Sequence, residues 1–405
     1  MSNVSPIQSK LLSKINERLV LKLIQDRGPS TRAEMSKSIG ITFPTVAKAV
    51  ATLLESKLLE EVEESTTGPG RPAKLLRLAN ENAQVIGLAL AVSECTVASA
   101  GLNGNVHSGS CVTFPTPKTY DSLLVHITRH VKKLMPPDGK STLIIGISMP
   151  AVIDYQAQRS VFSANMPILT GEYLGRDLEA MLGIECLILK DTHALALSEQ
   201  AHTASEEVTN FAILDLCRGV GLGLMAEGQF LTGNSGFAGE LGHTAIVPGG
   251  DVCHCGKKGC LETVASEWAL EARISLVMRR PVKINEILEM AKEGNQQVLL
   301  ELEAMCGYLA IGVAHVVNLM NPGTFYIHGR VFQACPQLFD LVVEKTEQYA
   351  MDFSFNACNF VRATGGVLEG TIASVIDYLT DSRVPDLEGY FRFAGITMNR
   401  SLATH

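Results

Sequence analysis

The sequence predicts an α/β protein with a winged helix-turn-helix at its amino end, and three observations carry that expectation. Residues 11–78 place apolar residues at helical spacing in three stretches, followed by two short strand-like runs. From about Ala83, short apolar runs bounded by turn residues alternate with helical stretches, the pattern of α/β layers. Charge divides at the same place. Residues 1–80 hold twelve Lys/Arg against eight Asp/Glu, a net of +4, whereas the remainder holds 22 against 34, a net of −12. A basic head on an acidic body points to a polyanion-binding module joined to something else.

In the first helix Leu12, Ile15, Leu19, Leu23 and Ile24 recur on one face, and Gly28-Pro29 stops it. Thr31-Arg32-Ala33-Glu34 fits a capping box that opens a short second helix, burying Met35 and Ile39 and ending at Gly40. Thr42 is the expected N-cap of a third helix that buries Val46, Ala49, Val50, Leu53 and Leu54. Two short helices about a tight turn form a helix-turn-helix. Thr42 and the outer residues Thr45, Lys48 and Thr52 are the candidates to meet base edges and phosphates in a major groove. Residues 58–62 and 74–78 read as the strands of a wing. Its tip, Gly68-Pro69-Gly70-Arg71-Pro72, offers Arg71 to a minor groove. A three-helix interaction module with a solvated loop is the competing reading, and pattern, wing and charge together favour DNA.

In the body, strands are expected at 85–90, 143–148, 186–189, 211–214 and 324–327, with helices around 120–134, 194–203, 264–279 and 298–319. A chain of 405 residues, 46% apolar and 19% charged, excludes collagen-like, coiled-coil and wholly disordered classes and suggests two or three domains. No apolar run reaches the ~18 residues of a spanning helix, and Met1-Ser2-Asn3-Val4 lacks a signal-peptide pattern, so a soluble cytoplasmic protein without membrane insertion is expected. Ten cysteines are too dilute for a disulfide scaffold. Cys95, Cys111, Cys186, Cys217, Cys306, Cys335 and Cys358 are scattered and read mostly as small core residues. Cys253, Cys255 and Cys260 are clustered.

The segments Phe237-Ala238-Gly239-Glu240-Leu241-Gly242-His243 and Cys253-His254-Cys255-Gly256-Lys257-Lys258-Gly259-Cys260-Leu261-Glu262 resemble the two signatures of the ROK family of sugar kinases and sugar-responsive repressors. The resemblance runs from Ile86 to about Leu379, and the amino-terminal module puts the chain on the repressor side. It implies a two-lobed actin-like, ribonuclease H-like ATPase (sugar kinase) fold. The expected organisation is a DNA-binding domain at 1–82, a first lobe at 83–200 completed by 365–382, a second lobe at 201–364 and a tail at 383–405.

Three close thiols and one imidazole make a closed, structural Cys₃His zinc site, with Gly256 and Gly259 allowing its turns. His243 is the expected fourth ligand, as the resemblance also implies, and His254 competes with it. The resemblance further implies a sugar site at Asn165, Asp191, Glu240, His243 and Glu262, where His243 would touch zinc through one ring nitrogen and a sugar hydroxyl through the other. Lys190 replaces the Asn that kinases carry before the catalytic Asp. Pairing with Asp191, contact with an anionic effector group and a surface position are all open to it.

The phosphate loops differ from the kinase pattern. Ala89-Leu90-Ala91-Val92-Ser93 stands where kinases carry Asp-x-Gly-Gly-Thr, and Cys217-Arg218-Gly219 where they carry Gly-Thr-Gly. Phosphoryl transfer needs positioned phosphates and metal-borne charge, so no catalytic residue is assigned and Asp191 is expected to accept a sugar hydroxyl. The implied function is a sugar-responsive regulator, most simply a repressor, acting as a homodimer or homotetramer on operator DNA, with a sugar or sugar phosphate as effector. The alternatives are a kinase with a regulatory head, or a regulator governed by a protein partner docking on the tail at Tyr390-Phe391-Arg392-Phe393.

Overall fold

The computed structural model describes residues 6–63, 74–136, 141–202 and 208–381. The wing tip with Arg71 and the tail with Tyr390–Phe393 lie outside the described residues.

The head is α1 (Pro6–Arg27), α2 (Arg32–Ile39), α3 (Phe43–Glu55) and an antiparallel pair, β1 (Leu59–Glu63) with β2 (Lys74–Leu78). Thr31 and Glu34 close the capping box at α2, and Gly40 ends that helix in the left-handed region. Thr42 does precede α3, but its hydroxyl bonds the Thr45 hydroxyl at 2.8 Å instead of capping a backbone amide. The buried side of α1 differs from the sequence expectation. Val20, Leu21 and Ile24 are buried, whereas Leu12 and Leu19 are exposed. At 100° per residue Glu17, Val20, Leu21 and Ile24 share one face, and Leu12 and Leu19 lie on the opposite one, so the helix buries a different stripe from the expected one.

The first lobe contains β3 (Ala83–Leu90), β4 (Glu94–Ala100), β5 (Val112–Pro115), α4 (Tyr120–Leu134), β6 (Ser141–Met149), the hairpin β7 (Val152–Asp154) with β8 (Arg159–Phe162), α5 (Leu174–Leu182), β9 (Cys186–Lys190) and α6 (Asp191–His202). Its five-stranded sheet has the order β5-β4-β3-β6-β9, antiparallel among the first three strands and parallel from β3 to β9. The second lobe repeats this plan with β10 (Phe211–Leu216), β11 (Val220–Ala226) and β12 (Gln229–Phe230). Next come α7 (Glu262–Ala265), α8 (Glu267–Met278), α9 (Ile284–Lys292), α10 (Gln296–Met320) and β13 (Thr324–His328). Finally there are α11 (Arg330–Ala334), α12 (Gln337–Glu347), α13 (Asp352–Asn356) and β14 (Asn359–Arg362). Its sheet runs β12-β11-β10-β13-β14, with parallel pairing from β10 to β14. The expected helix at 264–279 is broken at Ser266, which turns extended and accepts a hydrogen bond from the Ala269 amide to cap α8.

The helix α10 corrects the reading that no stretch is apolar and long enough to span a bilayer. It has 25 residues and a mean hydropathy of 1.4 over its most apolar window. Its Val298, Leu302, Met305, Leu309, Val313 and Val317 are buried in the core of the second lobe.

The last helix, α14 (Val367–Asp381), returns to the first lobe and crosses α6. Gly370 sets the crossing: a β-carbon there would stand 1.6 Å from the Ala194 carbonyl oxygen, so no larger residue fits without separating the helices. Ile372, Val375, Ile376 and Leu379 of α14 then join Val85 and Ile144 of the sheet and Val20, Leu21 and Ile24 of α1 in one core. The head is thus packed on the body. Buried Glu60 accepts Arg77 Nε at 2.8 Å and the amides of Glu81 and Asn82 at 2.9 and 3.1 Å, fixing the junction.

Candidate functional site: a cleft beside a cysteine cluster

A cavity of about 200 Å³ opens between the lobes. It lies at the carboxyl ends of β3, β9 and β10, where open α/β sheets characteristically present ligand sites. Asn165, Asp191, Glu240, His243 and Glu262 all line it, so residues 165 to 262 of the sequence meet in one place. Glu262 is buried at the start of α7. Its Oε1 accepts Asn165 Nδ2 at 3.2 Å and Trp268 Nε1 at 3.4 Å, and its Oε2 accepts the Val220 amide at 3.2 Å. Gly219 makes room for this: a β-carbon would lie 2.4 Å from Glu262 Oε2 and 2.6 Å from Asn165 Nδ2.

Asp191 opens α6, where the helix dipole and the Thr192 amide, 2.8 Å away, favour its charge. Burial and the nearby Asp215 carboxylate outweigh them and Lys190, pushing Asp191 up to about 7. Lys190 is no surface residue. It is 8% exposed, and its Nζ donates to Glu240 Oε1 at 2.5 Å and to the Ala238 carbonyl at 3.4 Å. Its partner is Glu240, not Asp191. Sequence reasoning also missed the layer behind: Tyr155 Oη lies 2.9 Å from His193 Nδ1 and accepts the Lys190 amide at 3.3 Å. Burial drives His193 down to about 3, so it stays neutral. The hydrogen-bonding His two positions after Asp191 was the available signal.

The cysteine cluster adjoins this wall. Nδ1 of His243 is 3.5 Å from Cys253 Sγ, Cys255 and Cys260 Sγ are 3.7 Å apart, and one donor atom from each of the four residues lies within 4.8 Å of the others. Gly256 and Gly259 have φ of 84° and 73°, the left-handed turns that bring the thiols together. This donor set fits a metal ion. His254 is excluded from it: its ring stacks on Trp268 at 4.5 Å and its Nδ1 is 3.0 Å from Asn165 Oδ1. His243 Nε2 points the other way, 3.9 Å from Glu240 Oε2.

A model of the ROK family matches residues 85–374, most of the chain. The chain belongs to the ROK family. It is 26% identical over 337 residues to the DNA-binding transcriptional dual regulator NagC of Escherichia coli, covering 80% of this chain and 82% of that protein. It is likewise 26% identical over 337 residues to the xylose repressor of Bacillus spizizenii, covering 82% and 86%. In fold it is similar to the crystal structure of a ROK family transcriptional regulator, a homolog of E. coli MLC protein. The TM-score is 0.77 at 24% identity, covering 92% of this chain and 98% of that one. The α/β architecture with two related sheets is therefore the ROK fold.

Within this ROK protein another part of the cleft lining is apolar, formed by Ala89, Leu90, Ala91, Val92 and Val367. The arginines nearby are engaged by buried carboxylates. Arg330 forms a two-pronged pair with Glu267, Nε and Nη2 each at 2.6 Å, and Arg218 Nη1 lies 2.7 Å from Glu271. Five of the scattered cysteines are buried as expected, but Cys111 is exposed and Cys217 sits at this cleft.

On the head, Thr42 and Lys48 are exposed and Thr45 and Thr52 half-exposed along the outer face of α3. Phe43, unremarked in the sequence, is exposed at the start of that helix, where an aromatic ring can touch a thymine methyl.

Proposed function

We propose that this chain is a sugar-responsive, DNA-binding transcriptional regulator, most simply a repressor of carbohydrate uptake or catabolism genes, acting as a homo-oligomer on a two-fold operator. The observation that carries the proposal is the joining of two things in one packed body. One is a helix-turn-helix head whose apolar core runs into α14; the other is an interlobe cleft where Asn165, Asp191, Glu240, His243 and Glu262 converge. The name xylose repressor, borne by a relative that aligns over most of this chain, supports the same reading.

In this reading Asn165, Asp191, Glu240, His243 and Glu262 hold the sugar. Carboxylates and an amide pair with several hydroxyls at once, and each hydroxyl left unpaired on burial costs about 1–3 kcal/mol. Zn²⁺ is the metal assigned to His243, Cys253, Cys255 and Cys260, in a structural role, and it orients His243 so that Nε2 serves the sugar. Thr42, Thr45, Lys48, Thr52 and Arg71 contact DNA. The chain is read as lacking kinase turnover, because the altered loops leave Asp191 without a phosphoryl donor.

Sugar binding that changes lobe closure shifts the α6–α14 crossing, and α14 carries the head. Effector and operator must then oppose each other reciprocally. Fluorescence anisotropy on promoter fragments, with a panel of pentoses, hexoses, amino sugars and sugar phosphates, tests this. One sugar should weaken binding, and the Asp191→Asn protein should bind DNA yet ignore it. Sugar-dependent ADP release at ordinary enzymatic rates would replace the proposal with a kinase.

A further inference from the structure

The cleft contains a second set of mixed donors, separate from the cysteine cluster. Parallel pairing of β10 with β13 puts Asp215 opposite His328. Cys217 lies two residues past Asp215, on the same side as the chain leaves β10. Asp215 Oδ1 accepts His328 Nδ1 at 2.7 Å and Cys217 Sγ at 3.1 Å, and the three donor atoms lie within 4.8 Å of one another. Asp215 is 7% exposed, and Asp215 and Cys217 both border the cavity.

The surroundings favour a cation there. Asp191 faces the same cavity, and the charge of Asp215 acts on it unfavourably. The neighbouring basic side chains are each held by another carboxylate: Lys190 by Glu240, Arg218 by Glu271 and Arg330 by Glu267. The arrangement is not a nucleophile with its base, since thiol and imidazole both donate to Asp215 instead of to each other.

We propose that Asp215, Cys217 and His328 bind a second divalent transition metal of the zinc and cobalt class. One imidazole nitrogen, one thiolate and one carboxylate suit a borderline-soft ion, with bonds of about 2.0–2.3 Å. The ion takes the place of the hydrogens that now join the three groups. The Cys217 thiol releases its proton to solvent, and the His328 proton resides on Nε2 while Nδ1 binds. Three protein ligands leave a position open toward the cavity, unlike the closed cysteine cluster. The inference stands on these residues alone and does not depend on the identity of the effector.

The test is metal content of the full-length protein by mass spectrometry, followed by Co²⁺ titration of protein carrying a single zinc equivalent under visible and near-ultraviolet absorption. The wild type should take up Co²⁺ at a site giving a thiolate-to-cobalt band. Cys217→Ser should lose that band, and His328→Gln should weaken the uptake at least tenfold. Both should keep the zinc of the cysteine cluster, and circular dichroism melts identify either variant that fails to fold. Wild-type protein that acquires no thiolate band beyond its resident zinc overturns the proposal, as does a band that persists in folded Cys217→Ser.

Discussion

Two regions of the cleft lining carry opposite chemistry: the polar one draws on both lobes, the apolar one chiefly on the end of β3 and the turn after it. One wall gathers Asn165, Asp191, Glu240 and Glu262 with their hydrogen bonds already formed. The other presents Ala89, Leu90, Ala91 and Val92. In the proposed regulator the polar region holds the effector, while the apolar region lacks the charged groups that position a phosphoryl donor.

The largest expected effect concerns the cysteine cluster beside the polar wall. On the proposed zinc assignment Cys260→Ser removes a ligand of an ion that only the folded protein holds, so the loss should be on the order of several kcal/mol, seen as a strongly lowered melting temperature together with loss of zinc. An unchanged melt would separate the cluster from the wall it is thought to stiffen. Gly370→Val should follow at about 3 kcal/mol, measured by urea midpoint, because the new side chain cannot fit against the Ala194 carbonyl.

Asp191→Asn should weaken sugar binding by about 1.5–3 kcal/mol in calorimetry, the range for a hydrogen bond to a charged group. Since Asp191 loses its proton near 7, wild-type affinity should rise about tenfold between pH 6 and pH 8, and the variant should lose this dependence. Stability takes the opposite sign. A carboxyl raised from 3.8 to about 7 favours the fold fully below the lower value and loses that contribution as pH rises through the higher one. The sugar-free Asp191→Asn protein should therefore melt above wild type at pH 8. Lys48→Ala should lower operator affinity with a decrease of about one in the salt slope, a smaller change because one phosphate contact is lost. Smallest of all, Mg²⁺ with ATP should leave the melting temperature unmoved while a bound sugar raises it. An ATP-dependent shift would mean that the apolar wall still holds nucleotide.

How much of this was legible in the sequence follows from distance along the chain. The cysteine cluster and the capping box at Thr31 and Glu34 were readable because their partners lie within a few residues or in a dense motif. Lys190 was not, since its burial depends on Glu240, 50 residues away. Asp215 and His328 are 113 residues apart and meet only through strand register, which no local pattern encodes. In α1 the apolar spacing was real, but the helix carries apolar residues on two faces and spacing cannot tell which one finds a core. The period of α10 placed a helix at 298–319, but its hydropathy was hidden, because charged Glu301 and Glu303 interrupt the apolar run without disturbing the buried face.

The shared core of α1, the first sheet and α14 bears on how such a protein can be taken apart or recombined. A head cut free after Asn82 would lose the part of its core that α14 supplies, exposing apolar surface beside Val20, Leu21 and Ile24. It would not be a transferable cassette. Grafting a different DNA-reading module onto this body would require matching its first helix to the last helix of the chain, so operator preference and effector preference are inherited as a set.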